Sequence, residues 1–141
     1  MKRLLALVEG QTEEQFFQNL VAPHLGERGI DARATIVCTR RVRKRRAHRG
    51  GMPAYAKFKD ELRRLFASKP DAVTTMIDFY ALPTDYPGVV TLPSRAKTID
   101  KQRHLHAALA VDVGDPRFIP NVVMHEYEAF GFVDLDVTTR V

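Results

Sequence analysis

Three of the four strand-like runs in this chain end in an acid: Glu9, Asp78 and Glu126. If those runs lie parallel, the three carboxylates gather along the carboxyl edge of one sheet, where α/β folds bind their ligands. Crowded carboxylates repel one another, and a divalent cation relieves the repulsion. An oxygen-only donor set without cysteine or histidine partners suits a hard ion, Mg²⁺ or Mn²⁺. A site of that kind polarises a phosphodiester and activates water for hydrolysis. The competing explanation is local, because the helix dipole favours an acid in a first turn and a lone strand-end acid is more often a cap than a ligand. Glu13 lies one helical turn beyond Glu9 on the same face and could reach a second ion, while Glu14 reads as solvated.

Positioning these acids requires a particular order of elements. Residues 3–8 read as a short buried strand, and Gly10 allows a sharp turn after Glu9. Thr12 and Gln15 form a T-x-x-Q capping box with Thr12 as N-cap. Phe16, Phe17, Leu20, Val21 and Leu25 then recur at helical spacing. Pro23 falls inside that pattern and predicts a kink or an early break near His24. Gly26 and Gly29 offer exits. Residues 30–39 alternate and are β-branched, giving a second strand. After a basic segment, Pro53 suits the first turn of a second helix with Tyr55, Phe58, Leu62, Leu65 and Phe66 on its buried stripe.

Residues 72–77 form the third strand, with Asp78 immediately after it. The proline- and glycine-punctuated stretch 79–93 is long enough to expect a lid or binding loop. Ser94 is the expected cap of a third helix, with Ile99, His106 and Leu109 inside. Residues 118–124 make the fourth strand, with Pro120 near its start or on an edge. His125, Glu126, Tyr127 and Glu128 then open a last helix. The β-α-β-α-β-α-β order predicts an α/β fold, a mostly parallel four-stranded sheet with helices on both faces.

With 141 residues the chain is one domain, 1–141, and its 45% hydrophobic content can bury a core without disulfides. The last helix has barely begun at Val141, so a further C-terminal element is expected. The single cysteine, Cys38, fits a reducing compartment, and no apolar run approaches a membrane span or a signal peptide, so the expectation is a cytoplasmic protein without a membrane partner.

The formal charge of +5 is concentrated in one place. Arg40, Arg41, Arg43, Lys44, Arg45, Arg46 and Arg49 put seven positive charges into ten residues, and without them the remainder carries −2. Such a segment can track phosphates, which supply most of non-specific nucleic-acid affinity. The alternatives are a solvated loop or a surface for an acidic protein. Aromatic residues are not interleaved, so base stacking there is not expected. His125-Glu126 lacks the second histidine of a zinc motif, since position 129 is alanine. No nucleophile elbow or phosphate-binding glycine-lysine loop supports acyl transfer or independent ATP hydrolysis.

The segment Val8-Glu9-Gly10-Gln11-Thr12-Glu13-Glu14 resembles the first motif of the TOPRIM domains of topoisomerases, primases and overcoming-lysogenization-defect nucleases. More closely, the chain resembles an uncharacterised bacterial TOPRIM-like family that joins V-E-G-x-T-E-E to D-x-Y-x-L-P and F-I-P…H-E-x-E-A. Those segments stand here as Asp78-Phe79-Tyr80-Ala81-Leu82-Pro83 and as Phe118-Ile119-Pro120 followed by His125-Glu126-Tyr127-Glu128-Ala129. The resemblance implies a TOPRIM-like three-layer sandwich with Mg²⁺ at the strand ends, Glu9 and Asp78 being the metal-binding acids. It also implies a nuclease-like activity, an ATPase partner and a role in phage defence. TOPRIM domains usually carry D-x-D after the third strand, and here the second acid is replaced by Tyr80. Asp85, Glu126 or Glu128 would then have to supply the missing carboxylate. A catalytically inactive module that binds nucleic acid or protein is the alternative.

Overall fold

The structure, a computed structural model, describes residues 1–37 and 52–124. The expected basic segment 40–49 and the expected last helix, with Glu126 and Glu128, lie outside the described residues, as does Cys38.

Strand β1 (Lys2–Val8) occupies the middle of the sheet. It pairs in parallel with β2 (Ile30–Ile36) on one side and with β3 (Ala72–Asp78) on the other. Beyond β3 lie two short strands, β4 (Phe118–Ile119) and β5 (Val122–Val123), both also parallel to it. The order is β2-β1-β3-β4 with β5 beside β3. The α/β architecture with a parallel sheet is therefore as the element order predicts.

Successive residues of a strand face opposite sides of the sheet, and β1 supplies both cores in this way. Ala6 and Val8 join Phe17 and Ala32 on one face. Leu7 faces the larger core with Phe58, Leu62, Val73, Ile77, Leu105 and Leu109 on the other. Helix α3 (Tyr55–Ala67) and helix α4 (Thr98–Val113) cover that second face. Phe58 and Leu62 are wholly excluded from solvent, and each such side chain stabilises the fold by about 1.5–3 kcal/mol relative to exposure. Among the described residues no helix is long and apolar enough to cross a membrane.

The first helical stretch differs from expectation in two ways. Helix α1 (Gln11–Phe16) is capped by Gly10 and not by Thr12, and no side chain bonds the cap. The cause is the extended Gly10, whose carbonyl already accepts from Glu14 N at 3.0 Å, so the helix starts before Thr12 can act. Pro23 does not break the run. A π-helical turn (Phe17–Val21) precedes α2 (Ala22–Gly26), which holds Pro23 in its first turn, where a missing N–H is harmless. The wider turn rotates the helix face, and Leu20, expected inside, is 52% exposed while Phe17 is buried.

Three further expectations are corrected. Pro53 precedes the N-cap Ala54 instead of occupying the first turn of α3. Helix α4 begins at Thr98 after Lys97, so Ser94 is no cap, and Ile99 stays half exposed while Leu105 takes the inner position. The fourth strand is interrupted at Pro120 and Asn121, because proline cannot donate to the ladder. Thr75 bridges the gap: its hydroxyl donates to Asn121 O at 2.8 Å and accepts from Asn121 N at 2.9 Å.

Candidate functional site

The chain leaves β1 toward β2 on one side and leaves β3 toward β4 on the other. The point where the direction of winding reverses lies between β1 and β3, and ligands of open α/β sheets bind outside the carboxyl ends of the strands there. Glu9 and Asp78 are the residues at those two ends.

Their proximity follows from register. Val8 pairs with Met76, so the next residues run side by side. Glu9 N donates to Met76 O at 3.3 Å, and Asp78 N donates to Glu9 Oε2 at 3.4 Å. The Glu9 carboxyl is held above the usual carboxylate range, chiefly by burial. The Asp78 N–H opposes that shift, while the negative charges of Glu13 and Asp78 add to it. The charges acting on Glu9 are thus acidic, and a cation at this edge would relieve them.

Glu13 acts on Glu9 from α1 through its charge. A side chain at Gly10 would place its Cβ 3.3 Å from Glu13 Oε2, so glycine leaves room for that carboxylate over the turn. Asp78 also acts locally, since its Oδ1 accepts from Tyr80 N at 3.0 Å and caps the short 3₁₀ turn Phe79–Ala81. Tyr80, where an acid was expected from the TOPRIM pattern, points outward and is 73% exposed.

Asp85 is engaged elsewhere, its Oδ2 accepting from Tyr55 N at 2.8 Å at the start of α3. Its neighbour Tyr86 escaped sequence reasoning. It is 2% exposed, donates to Pro53 O at 2.9 Å, and stacks edge-on against Tyr55. Burial, with the charges of Asp85, Glu61 and Glu9, pushes the Tyr86 phenol up in pKa. Tyr86 therefore stands close enough to Glu9 to feel its charge, and it anchors the stretch after Asp78 into the core. An aromatic residue directly before Pro87-Gly88 was the available signal.

Among the described residues no group of three or more histidine, cysteine, aspartate or glutamate side chains is placed to hold a metal ion. Glu9 and Asp78 do fit a narrower role. Each has one oxygen engaged by a backbone N–H. Mg²⁺ is often held by one or two carboxylates, the rest of its shell being water and substrate phosphate. The structure brings Glu9 and Asp78 together, sets Glu13 near enough for its charge to act on Glu9, and leaves Asp85 at the α3 terminus.

Residues 8–140 match the family described as "Domain of unknown function (DUF4276)", and the chain belongs to that family. No curated protein and no solved structure matches the chain. The family description carries no activity and no link to TOPRIM domains.

Proposed function

We propose that this protein is a Mg²⁺- or Mn²⁺-dependent phosphodiester hydrolase acting on nucleic acid, a nuclease-like enzyme of TOPRIM-like type. The observation that carries the proposal is the pairing of Glu9 with Asp78 at the point of reversed winding, with Glu9 raised in pKa by burial and by two other acids. An ion there would polarise the phosphate and activate a water. Glu9 and Asp78 would hold it through their remaining oxygens, with Glu13, Glu126 or Glu128 as further donors, Asp85 being committed to the start of α3. A raised pKa also suits Glu9 to proton transfer as general base or acid. The basic segment Arg40, Arg41, Arg43, Lys44, Arg45, Arg46 and Arg49 would hold the substrate backbone. An ATPase partner and a defence role belong to the same proposal and rest on the family resemblance alone.

A second reading has its own observation. Asp78 spends Oδ1 on Tyr80 N, and Tyr80 stands in place of the second acid. That arrangement favours a scaffold that binds nucleic acid or protein without cutting. Purified protein incubated with DNA and RNA in Mg²⁺, Mn²⁺ or chelator separates the two. Metal-dependent cleavage lost in Glu9→Gln and Asp78→Asn supports the hydrolase. Salt-sensitive binding without cleavage selects the module.

A further inference from the structure

Several cations on the α3–α4 face are paired with acids. Lys59 meets Asp112 at 2.9 Å, Arg63 meets Asp60 at 2.9 Å, and Arg117 meets Asp115 at 2.8 Å. Arg95, Lys97 and Lys101 differ. Their side chains make no ion pair and no hydrogen bond among the described residues, although Asp100 is adjacent in sequence. Arg95 and Lys97 are exposed and Lys101 is partly so.

The three cations stand at or just before the start of α4. Helix α4 returns from the end of β3 to the start of β4, so in a parallel sheet its first turn lies at the carboxyl edge, the edge that carries Glu9 and Asp78. Lys101 shares one side of the helix with His104 and Ala108, and Lys97 is the extended cap residue just before the first turn. That side faces the chain leaving Asp78: a Cβ on Gly88 would lie 2.9 Å from Ala108 Cβ, and Thr91 Oγ1 is 2.9 Å from His104 Nε2. The same chain packs Tyr86 against Tyr55 and Phe58 of α3. Lys101 therefore lies on the side of α4 that faces this chain, and Lys97 stands at the start of the helix, at the site edge.

Folding does not ask for positive charge here, because a helix dipole disfavours cations at its amino end. Lys97 at the cap and Lys101 in the first turns are about one helical turn apart, roughly 5–6 Å along the axis, a step comparable with that between neighbouring phosphates of a strand. Unpaired cations on such a spacing, beside acids suited to a phosphodiester site, match a polyphosphate backbone.

We infer that Arg95, Lys97 and Lys101 form a phosphate-contact surface that guides a nucleic-acid strand to the Glu9–Asp78 edge. The inference rests on the nucleic-acid reading proposed above. It adds binding residues beyond the basic segment 40–49 of the sequence.

The test is the salt dependence of binding to a fluorescent single-stranded oligonucleotide and its duplex, measured in chelator so that nothing is cut. Four proteins are compared: the wild type, the triple variant Arg95→Gln/Lys97→Gln/Lys101→Gln, a variant with residues 40–49 neutralised, and a charge-matched control. The control, Lys2→Gln/Arg64→Gln/Lys69→Gln, removes three exposed cations from the opposite edge. Thermal melting establishes that each variant folds. The edge triple should reduce the slope of log K against log salt by about 2, each lost phosphate contact being worth about 0.7–0.9, while the control leaves it unchanged. Equal loss in both triples would reduce the effect to net charge and overturn the inference. An unchanged edge triple, with binding lost only in the 40–49 variant, also overturns it but leaves the nucleic-acid reading standing. Equal competition by polyglutamate at matched charge would assign the surface to acidic proteins instead. If the wild type binds neither oligonucleotide, the nucleic-acid reading itself falls, and the inference with it.

Discussion

The backbone N–H of Asp78 donates to the Oε2 of Glu9 across 3.4 Å, tying the ends of two neighbouring parallel strands through the side chain of one of the acids. That bond fixes the Glu9 carboxyl at the sheet edge and leaves its second oxygen for something else. Binding of a divalent cation at that edge should therefore raise stability, since a ligand that binds only the native state stabilises it by mass action. At ten times its dissociation constant the gain is about 1.4 kcal/mol, on the order of 4–5 °C in melting temperature for a domain of this size. Thermal melts with Mg²⁺ or Mn²⁺, against NaCl at equal ionic strength, check this. The shift should vanish in Glu9→Gln and in Asp78→Asn.

Without a cation the same carboxyl is a liability. Burial, then the charges of Glu13 and Asp78, raise the Glu9 pKa in the native protein, with the Asp78 N–H only partly opposing them. A carboxyl with a raised native pKa binds more protons folded than unfolded, so its cost to stability grows as pH rises from the ordinary carboxylate range through the native pKa. Above that pKa the cost is complete, and below the ordinary value of 4.5 it disappears. Glu9→Gln should accordingly melt higher than wild type in chelator at pH 7–8, and the difference should close on acidification to about pH 4. A constant difference across that range would exclude titration of Glu9 as its source.

Much of this arrangement is legible in the residues. The apolar stretch before Glu9 and the β-branched stretch before Asp78 state their strands by length and composition, and alternation of two strands with two helical stripes states the parallel sheet. What is not legible depends on partners far along the chain. Thr12 looks like a cap because its spacing to Gln15 is right, but Gly10 takes that position first. Residues 118–124 look like one strand because nothing local reveals that Thr75 would bond both backbone groups of Asn121. Tyr86 sits in a stretch full of turn residues, so its burial between α3 and the sheet edge depends on tertiary packing. The pairing of Glu9 with Asp78 is accessible through the assumption of a parallel sheet and through the family resemblance. The contribution of Glu126 and Glu128 falls outside the described residues.

Thr75 permits a direct measurement of the repair at the interrupted strand. Its hydroxyl is buried, donating to one backbone group of Asn121 and accepting from the other. Thr75→Val keeps the shape but strands a buried N–H and C=O, a loss of about 1–3 kcal/mol. Thr75→Ser restores the bonds and should recover most of it. Urea unfolding should show a lower midpoint for the valine variant at an unchanged slope.

The opposite side of the same strand pair depends on a histidine. Val122 N donates to His106 Nε2 at 2.8 Å, and Gln102 donates to Val122 O at 2.9 Å, so α4 satisfies both backbone groups of Val122. Burial lowers the His106 pKa. With the native pKa below the ordinary value of 6.5, the unfolded chain takes up the proton first. Stability is thus full above about 6.5 and lost as pH falls through and below it. His106→Gln keeps an acceptor without titrating and should flatten the stability profile between about pH 5 and 7 relative to wild type. His106→Leu should lose about 1–3 kcal/mol above about pH 7, because Val122 N is left without a partner, and the deficit should shrink on acidification as wild-type His106 takes up its proton.

The stretch 79–93 has the composition of a lid, yet Gly88 makes it a wall. Its φ of +85° is unfavourable for side chains, and an added Cβ would stand 2.9 Å from Ala108 Cβ on α4. Tyr86, two residues earlier, is locked into the core, and Val89 and Leu92 pack against it. Opening this stretch would expose those apolar side chains, so the edge near Glu9 is bounded on the α3–α4 face by a fixed surface. Gly88→Ala should cost about 1–3 kcal/mol through overpacking, with backbone strain added. Combining it with Ala108→Gly removes the clash but not the strain, so the double variant should recover part of the loss beyond what the two single changes predict by addition. Denaturant midpoints of the four proteins measure that coupling. Strict additivity would mean that the stretch does not rest on α4 in solution, and hydrogen exchange at residues 86–92 would then be fast, as expected of a lid.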